Sequence, residues 1–137
     1  MKMNLEGKLA LVTGSTKGIG KAIAIELAKE GTNVIINGRQ KVTVDKIVAE
    51  IKENYPDTDP QSAPYDLADV KQRKELFERF PDIDILVNNM GIFKPMNYFD
   101  IDEATLQKFI DVNVYSGNAL AKFYLPKMLD QDFGRII

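Results

Sequence analysis

Short runs of apolar residues, rich in β-branched and leucine side chains, alternate along this chain with longer stretches in which apolar positions recur every three or four residues. A short continuous run bounded by turn residues reads as a buried strand, and the longer period as an amphipathic helix. The pattern predicts a strand over 9–13 and a helix over 18–30, with Ile19, Ile23 and Leu27 stacked at four-residue spacing as its apolar face. Gly31 stands where a helix stop needs a residue that tolerates positive φ. A second strand follows over 34–37, and a second helix over 42–54 carries Val44, Ile47, Val48 and Ile51 on one side. Strands over 61–65 and 85–88 flank a helix over 70–80, a long helix covers 104–129 with a bend expected at Pro126, and residues 135–137 begin a fifth strand. Strand–helix alternation of this kind predicts an α/β fold, a doubly wound parallel sheet covered by helices on both faces. Pro64 has no N–H to give a sheet ladder, which suits an edge strand. In a 3-2-1-4-5 strand order the third strand is at the edge, so the two readings agree.

Composition narrows the chemistry. The 137 residues include no histidine, no cysteine and no tryptophan. That excludes a thiolate nucleophile, a disulfide, a Cys-ligated zinc site, a Ser-His-Asp triad and an H-E-x-x-H metal site. No carboxylate series of the EF-hand kind appears, so no metal is expected. The formal charge of −2 argues against a nucleic-acid partner, which usually leaves a basic excess. The longest uninterrupted apolar runs have four residues, far short of the ~20 that a membrane span needs. The expectation from the sequence is a cytoplasmic protein with no membrane partner.

After the first strand comes Thr13-Gly14-Ser15-Thr16-Lys17-Gly18-Ile19-Gly20, at the point where a helix opens. Glycines there let the backbone turn tightly and approach a ligand, while the helix start offers unpaired N–H groups and a partial positive charge to a pyrophosphate. A Walker A loop is excluded: Ser15 occupies its first glycine position and Ala22 its Ser/Thr position, although Gly20-Lys21 matches. The spacing is G-x-x-x-G-x-G rather than G-x-G-x-x-G.

Further motifs lie in order along the chain: Asp66-Leu67 after the third strand, Asn88-Asn89-Met90-Gly91 after the fourth, Asn113 with Val114 and Ser116 in the long helix, and Gly134-Arg135-Ile136-Ile137 at its end. Together with T-G-x-x-x-G-I-G they make the chain resemble the short-chain dehydrogenase/reductase family, similar to its 3-oxoacyl-acyl-carrier-protein-reductase-like members, over essentially all of its length. The resemblance implies an NAD(P) site formed by Gly14, Thr16, Lys17, Gly18, Ile19 and Gly20 at the phosphates. It implies Asp66 at the adenine amino group with the Leu67 backbone beside it, and Asn88 and Gly91 as the floor under the adenosine ribose. Met90 stands where the family usually has alanine. Asp66 also has an ordinary reading as a helix N-cap before Val70, a role Asp69 is equally suited to fill.

The second strand ends Asn37-Gly38-Arg39, without the acidic residue that holds a ribose 2′-hydroxyl in NAD-binding units. Arg39 and Lys17 are placed instead to meet a 2′-phosphate, with the Thr16 hydroxyl as a further donor, so NADP(H) is expected over NAD(H). By the resemblance, the parent protein moves a hydride between nicotinamide and a small-molecule carbonyl or alcohol and assembles as a homodimer or homotetramer. Family catalysis uses a serine, a tyrosine and a lysine four residues after the tyrosine. The five tyrosines here, Tyr55, Tyr65, Tyr98, Tyr115 and Tyr124, are followed at that spacing by Asp59, Asp69, Asp102, Ala119 and Met128. Of the family's catalytic set only Asn113 is present, in a helix that the family distorts locally so that the asparagine carbonyl holds a water. Its neighbours Ile110, Val114 and Gly117 suggest a packed face.

The chain stops partway into its fifth strand, before the positions of that serine and Tyr-x-x-x-Lys pair. The expectation is therefore an incomplete Rossmann domain over 1–137, the front part of a longer reductase and inactive by itself. The alternatives are a dinucleotide-binding module or sensor without turnover, and a methyltransferase with a similar sheet, which the Lys17/Arg39 pair and the Asn88–Gly91 match disfavour. Ile92, Phe93 and Pro95 fit either a substrate entrance or ordinary loop packing.

Overall fold

In the computed structural model, which describes residues 3–137, the apolar runs become strands of one parallel sheet. These are β1 (Leu9–Val12), β2 (Asn33–Gly38), β3 (Gln61–Pro64), β4 (Ile85–Val87) and β5 (Arg135–Ile136). Their order is β3-β2-β1-β4-β5, with β3 at the edge as Pro64 requires. Helices α1 (Gly18–Lys29), α2 (Lys41–Asn54), α3 (Val70–Arg79), α4 (Glu103–Ile110) and α5 (Ser116–Asp130) make the crossovers.

Strands buried on both faces read as continuous apolar runs because each side chain of a period-two pair meets a different helix layer. Ala10, Val12, Val34, Ile36, Ile85 and Val87 point to one face, where they pack with Ala24 and Ala28 of α1 and Val44, Ile47 and Ile51 of α2. Leu11, Ile35, Ala63 and Leu86 point to the other, against Leu76 of α3 and Leu120, Tyr124 and Met128 of α5. The chain leaves β1 toward β2 on one face and reaches β4 by way of the other. This reversal opens a crevice beyond the carboxyl ends of the central strands.

Two predicted faces are shifted. The core face of α1 is not the isoleucine row but Gly20, Ala24 and Ala28; Ile23 and Leu27 are half-buried and Ile19 is 75% exposed. Small residues let the helix axis approach the sheet closely, and the larger side chains one position along flank the contact. The long helix is one helical path interrupted at Asp111–Tyr115 by a wider π turn, and it runs on through Pro126 to Asp130. Its buried row is Val112, Ser116, Leu120, Tyr124 and Met128, whereas Val114, expected on the packed side, is 56% exposed. The π turn adds a residue to the helical circuit and rotates the facing row. Asn113 lies within it.

Candidate functional site

The turn between β1 and α1 is held from both sides by buried polar groups. On one side Asn37, at the end of β2 and 1% exposed, accepts the Gly14 N–H through Oδ1 at 3.0 Å. Its Nδ2 donates to the carbonyls of Ala63 and Tyr65 at 3.0 Å each. Its main chain pairs with Ser15, whose N–H donates to the Asn37 carbonyl at 2.8 Å and whose Oγ accepts the Asn37 N–H at 2.9 Å. On the other side the buried Thr13 Oγ1 accepts the N–H groups of Asn89 and Met90 at 3.0 and 2.9 Å. Asn89 Nδ2 donates back to the carbonyls of Thr13 and Gly14 at 3.2 and 3.1 Å. Four strand ends are thus tied into one rigid cradle. Thr13, Ser15, Asn37 and Asn89 were not singled out from the sequence as site residues. A polar residue directly after an apolar run, as in Val34-Ile35-Ile36-Asn37, is the signal that would have found the most connected of them.

Gly14 and Gly18 take φ of +59° and +57°, the left-handed region that a side chain resists. Gly20 is required by space: a Cβ there would lie 2.3 Å from the Gly14 carbonyl oxygen and 2.4 Å from Asn89 Nδ2. The helix that follows has no side-chain cap, whereas α3 and α4 are capped by Asp69 and Asp102. The first-turn N–H groups of α1 are therefore free for a ligand.

An open cleft of about 990 Å³ lies over these elements, lined at the turn by Gly14, Thr16, Lys17, Gly18 and Ile19. Arg39, Asp66 and Gly91 complete the set of predicted residues on its walls, and α4 contributes Gln107, Lys108 and Asp111. Thr16 packs on Gly38, so that Lys17 and Arg39, each one residue further on, emerge at the same edge. Among the described residues neither has an ion-pair partner, whereas nearby Lys21 and Lys41 are bonded to Glu50 and Asp45. The Asp66 carboxylate accepts the Ala68 N–H at 3.0 Å through Oδ1, and among the described residues its Oδ2 has no partner, while Asp69 caps α3. Four predicted residues do not line the cleft themselves. Gly20 is buried under the turn, and the Leu67 side chain is wholly in the core. Asn88 is exposed and its Nδ2 reaches the Gly117 carbonyl at 3.4 Å. Asn113 instead pins the loop after β4: its Oδ1 accepts the Ile92 N–H at 2.7 Å and its Nδ2 donates to the Ile92 carbonyl at 3.0 Å. Ile92 is on the cleft wall, whereas Phe93 is 88% exposed.

The titratable groups that depart from their ordinary values lie outside the cleft. Burial, followed by the nearby Asp82 charge, pushes the Tyr124 hydroxyl up, and that hydroxyl donates to the Phe80 carbonyl at 2.7 Å. A tyrosine held this way braces α5 against the end of α3 and is no proton carrier at neutral pH. The Thr105 hydrogen bonds hold the Asp102 carboxyl below the usual range, and the Lys41 and Ser62 hydrogen bonds do the same for Asp45. Among the described residues no group of three or more carboxylates is placed to bind a metal ion, and no helix is long and apolar enough to cross a membrane.

This geometry has relatives. Residues 8–137 match the family model described as short chain dehydrogenase. The chain is 48% identical over 137 residues to the uncharacterized oxidoreductase YvaG of Bacillus subtilis, covering all of this chain and 52% of that protein. It is 33% identical over 141 residues to the 3-oxoacyl-[acyl-carrier-protein] reductase FabG of Aquifex aeolicus, again over its whole length and 56% of that protein. Among solved structures, L-sorbose reductase from Gluconobacter frateurii, complexed with NADPH and L-sorbose, superposes with a TM-score of 0.91 at 28% identity. That match covers 99% of this chain and 53% of the other. The chain spans about half the length of the curated relatives it matches.

Proposed function

The chain belongs to the short-chain dehydrogenase family, and from that premise we propose that residues 1–137 supply the coenzyme-binding domain of an NADP(H)-dependent oxidoreductase. The observation that carries this reading is the cradle itself: a glycine turn locked on both sides, an uncapped helix start, and two unpaired cations at one edge of the same cleft.

The residues present fit a dinucleotide. The free N–H groups at the start of α1 hold the pyrophosphate, and the bare Cα of Gly18, which faces open space, lets it approach. Lys17, Arg39 and the Thr16 hydroxyl meet the 2′-phosphate, whose charge near −2 makes charge-assisted bonds that a carboxylate at this edge would oppose. Asp66 Oδ2 accepts from the adenine amino group beside the Leu67 backbone, and Gly91 with the Asn88 segment supports the ribose. When bound, the nicotinamide supplies the hydride exchanged with a small-molecule carbonyl or alcohol. Asn113, by clamping Ile92 to the π turn, fixes the wall next to that reaction. None of the five tyrosines has a lysine four residues later, so the 137 residues alone bind dinucleotide without turning substrate over. Apolar side chains left exposed along α5, among them Phe123, Leu125 and Leu129, support assembly as a homodimer or homotetramer. A cytoplasmic location is part of the same proposal.

Calorimetric titration tests the reading directly. The expected result is one site per chain that takes NADP⁺ more tightly than NAD⁺. Failure of both dinucleotides to bind refutes the domain assignment, and a preference for NAD⁺ refutes the roles of Lys17 and Arg39.

A further inference from the structure

We propose that Met90 is a modification site: its thioether forms part of the coenzyme-contacting floor of the cleft, and its oxidation by a hydroperoxide weakens dinucleotide binding. The proposal rests on the dinucleotide reading above and adds to it a residue and a sensitivity that the glycine turn does not explain. Met90 is fixed at its backbone, where its N–H donates to Thr13 Oγ1 at 2.9 Å and its Cα lies 3.3 Å from the position a Gly14 Cβ would take. From there the side chain packs on the core cluster that contains Leu11, Leu67 and Leu86, while the residue remains partly exposed and lines the cleft with Gly14 and Asp66. A ligand running from the glycine turn to Asp66 must pass over it. A thioether suits that place because it is apolar, polarisable and flexible enough to fit against a ring or a ribose.

The same position leaves Met90 partly exposed to a small oxidant when the cleft is free. A sulfur lone pair attacks one oxygen of hydrogen peroxide, the O–O bond breaks, and an S–O bond forms. The leaving hydroxide takes a proton and departs as water, so that sulfur loses two electrons and the peroxide gains them. The sulfoxide is polar and chiral where the thioether was apolar. Set against an apolar floor and a bound ligand, such a group lowers affinity by about tenfold, the factor equivalent to ~1.4 kcal/mol.

The chain carries its own references for the experiment. Met3 is 49% exposed, Met128 is 4% exposed, and Met96 has intermediate exposure but does not line the cleft. The full chain is treated with hydrogen peroxide with and without saturating NADP⁺, and each methionine peptide is followed by mass spectrometry. Met90 is expected to oxidise in the free protein and to be protected by NADP⁺. Met3 and Met96 are expected to react alike in both samples, and Met128 to resist in both. In parallel, peroxide should lower the NADP⁺ affinity of the wild type about tenfold and leave Met90→Leu unchanged. Absence of protection while calorimetry shows NADP⁺ bound overturns the proposal, as does an equal loss of affinity in peroxide-treated Met90→Leu. If the untreated wild type binds neither NADP⁺ nor NAD⁺, the dinucleotide reading falls first and this proposal falls with it.

Discussion

Asn37→Ala removes the most connected side chain of the cradle. Asn37 Oδ1 is the acceptor for the Gly14 N–H, and Nδ2 donates to two carbonyls at the end of β3, those of Ala63 within the strand and Tyr65 just after it. The losses are unequal. The Ala63 carbonyl keeps a partner in the Tyr65 N–H at 2.9 Å, so the Gly14 N–H and the Tyr65 carbonyl lose most. A buried polar group left without a partner costs about 1–3 kcal/mol, and both of these groups lie next to the cleft, where water can partly replace the lost bond. The expected destabilisation is therefore about 2–4 kcal/mol, a large share of the ~5–15 kcal/mol that holds a typical domain folded. Urea melts followed by circular dichroism should show a lower midpoint with an unchanged slope, which identifies a loss of stability without a change in compactness. NADP⁺ affinity should fall further than stability does, because the same bond sets the path of the glycine turn. Asn37→Asp separates the two contributions: a carboxylate still accepts from the Gly14 N–H but faces the Ala63 and Tyr65 carbonyls with no proton to give. An Asn37→Ala protein with wild-type midpoint and wild-type NADP⁺ affinity would refute the cradle as described.

Other expectations follow from single contacts. Arg39→Asp should weaken NADP⁺ binding by tenfold or more, as about 1.5–3 kcal/mol per charged hydrogen bond implies, while leaving NAD⁺ binding within about twofold; parallel losses measured by calorimetry would sink the assignment. Gly20→Ala trades about 1 kcal/mol of helix propensity for contacts about 1 Å short of ordinary packing, and the clash should dominate in both melting temperature and NADP⁺ affinity. Tyr124→Phe should cost about 1–2 kcal/mol in urea melts by leaving the Phe80 carbonyl unpaired, with coenzyme affinity unchanged. For Asp102 the folded carboxyl lies below its unfolded value, so its contribution is present above pH ~3.9 and is lost as pH falls through the folded value; Asp102→Asn should flatten that part of the acid-unfolding curve.

How much of this was legible beforehand depends on whether a residue's role is local. The strands were readable because a parallel strand buried on both faces must be apolar at every position, as in Leu9–Val12 and Val34-Ile35-Ile36. Gly14 and Gly18 were readable because a turn that needs positive φ leaves few other residues possible. The α1 core face was misread because its isoleucines carry more hydrophobicity than its alanines, yet the sheet selected the small row for close approach. Asn37, Thr13 and Asn89 were passed over because their partners lie 22–77 residues away along the chain, on strands whose neighbours are set only when the sheet forms.

Order and type of the elements, the pairing of Pro64 with a sheet edge, and the absence of thiol and imidazole chemistry were thus determined by the amino-acid sequence alone, since each depends on the residue itself or on its immediate neighbours. Tertiary structure decided which cations remain unpaired at the cleft, which asparagines lock the turn, and that Asn113 is bonded back to Ile92. Those outcomes depend on distances between segments remote in the chain, which packing fixes and local pattern does not encode.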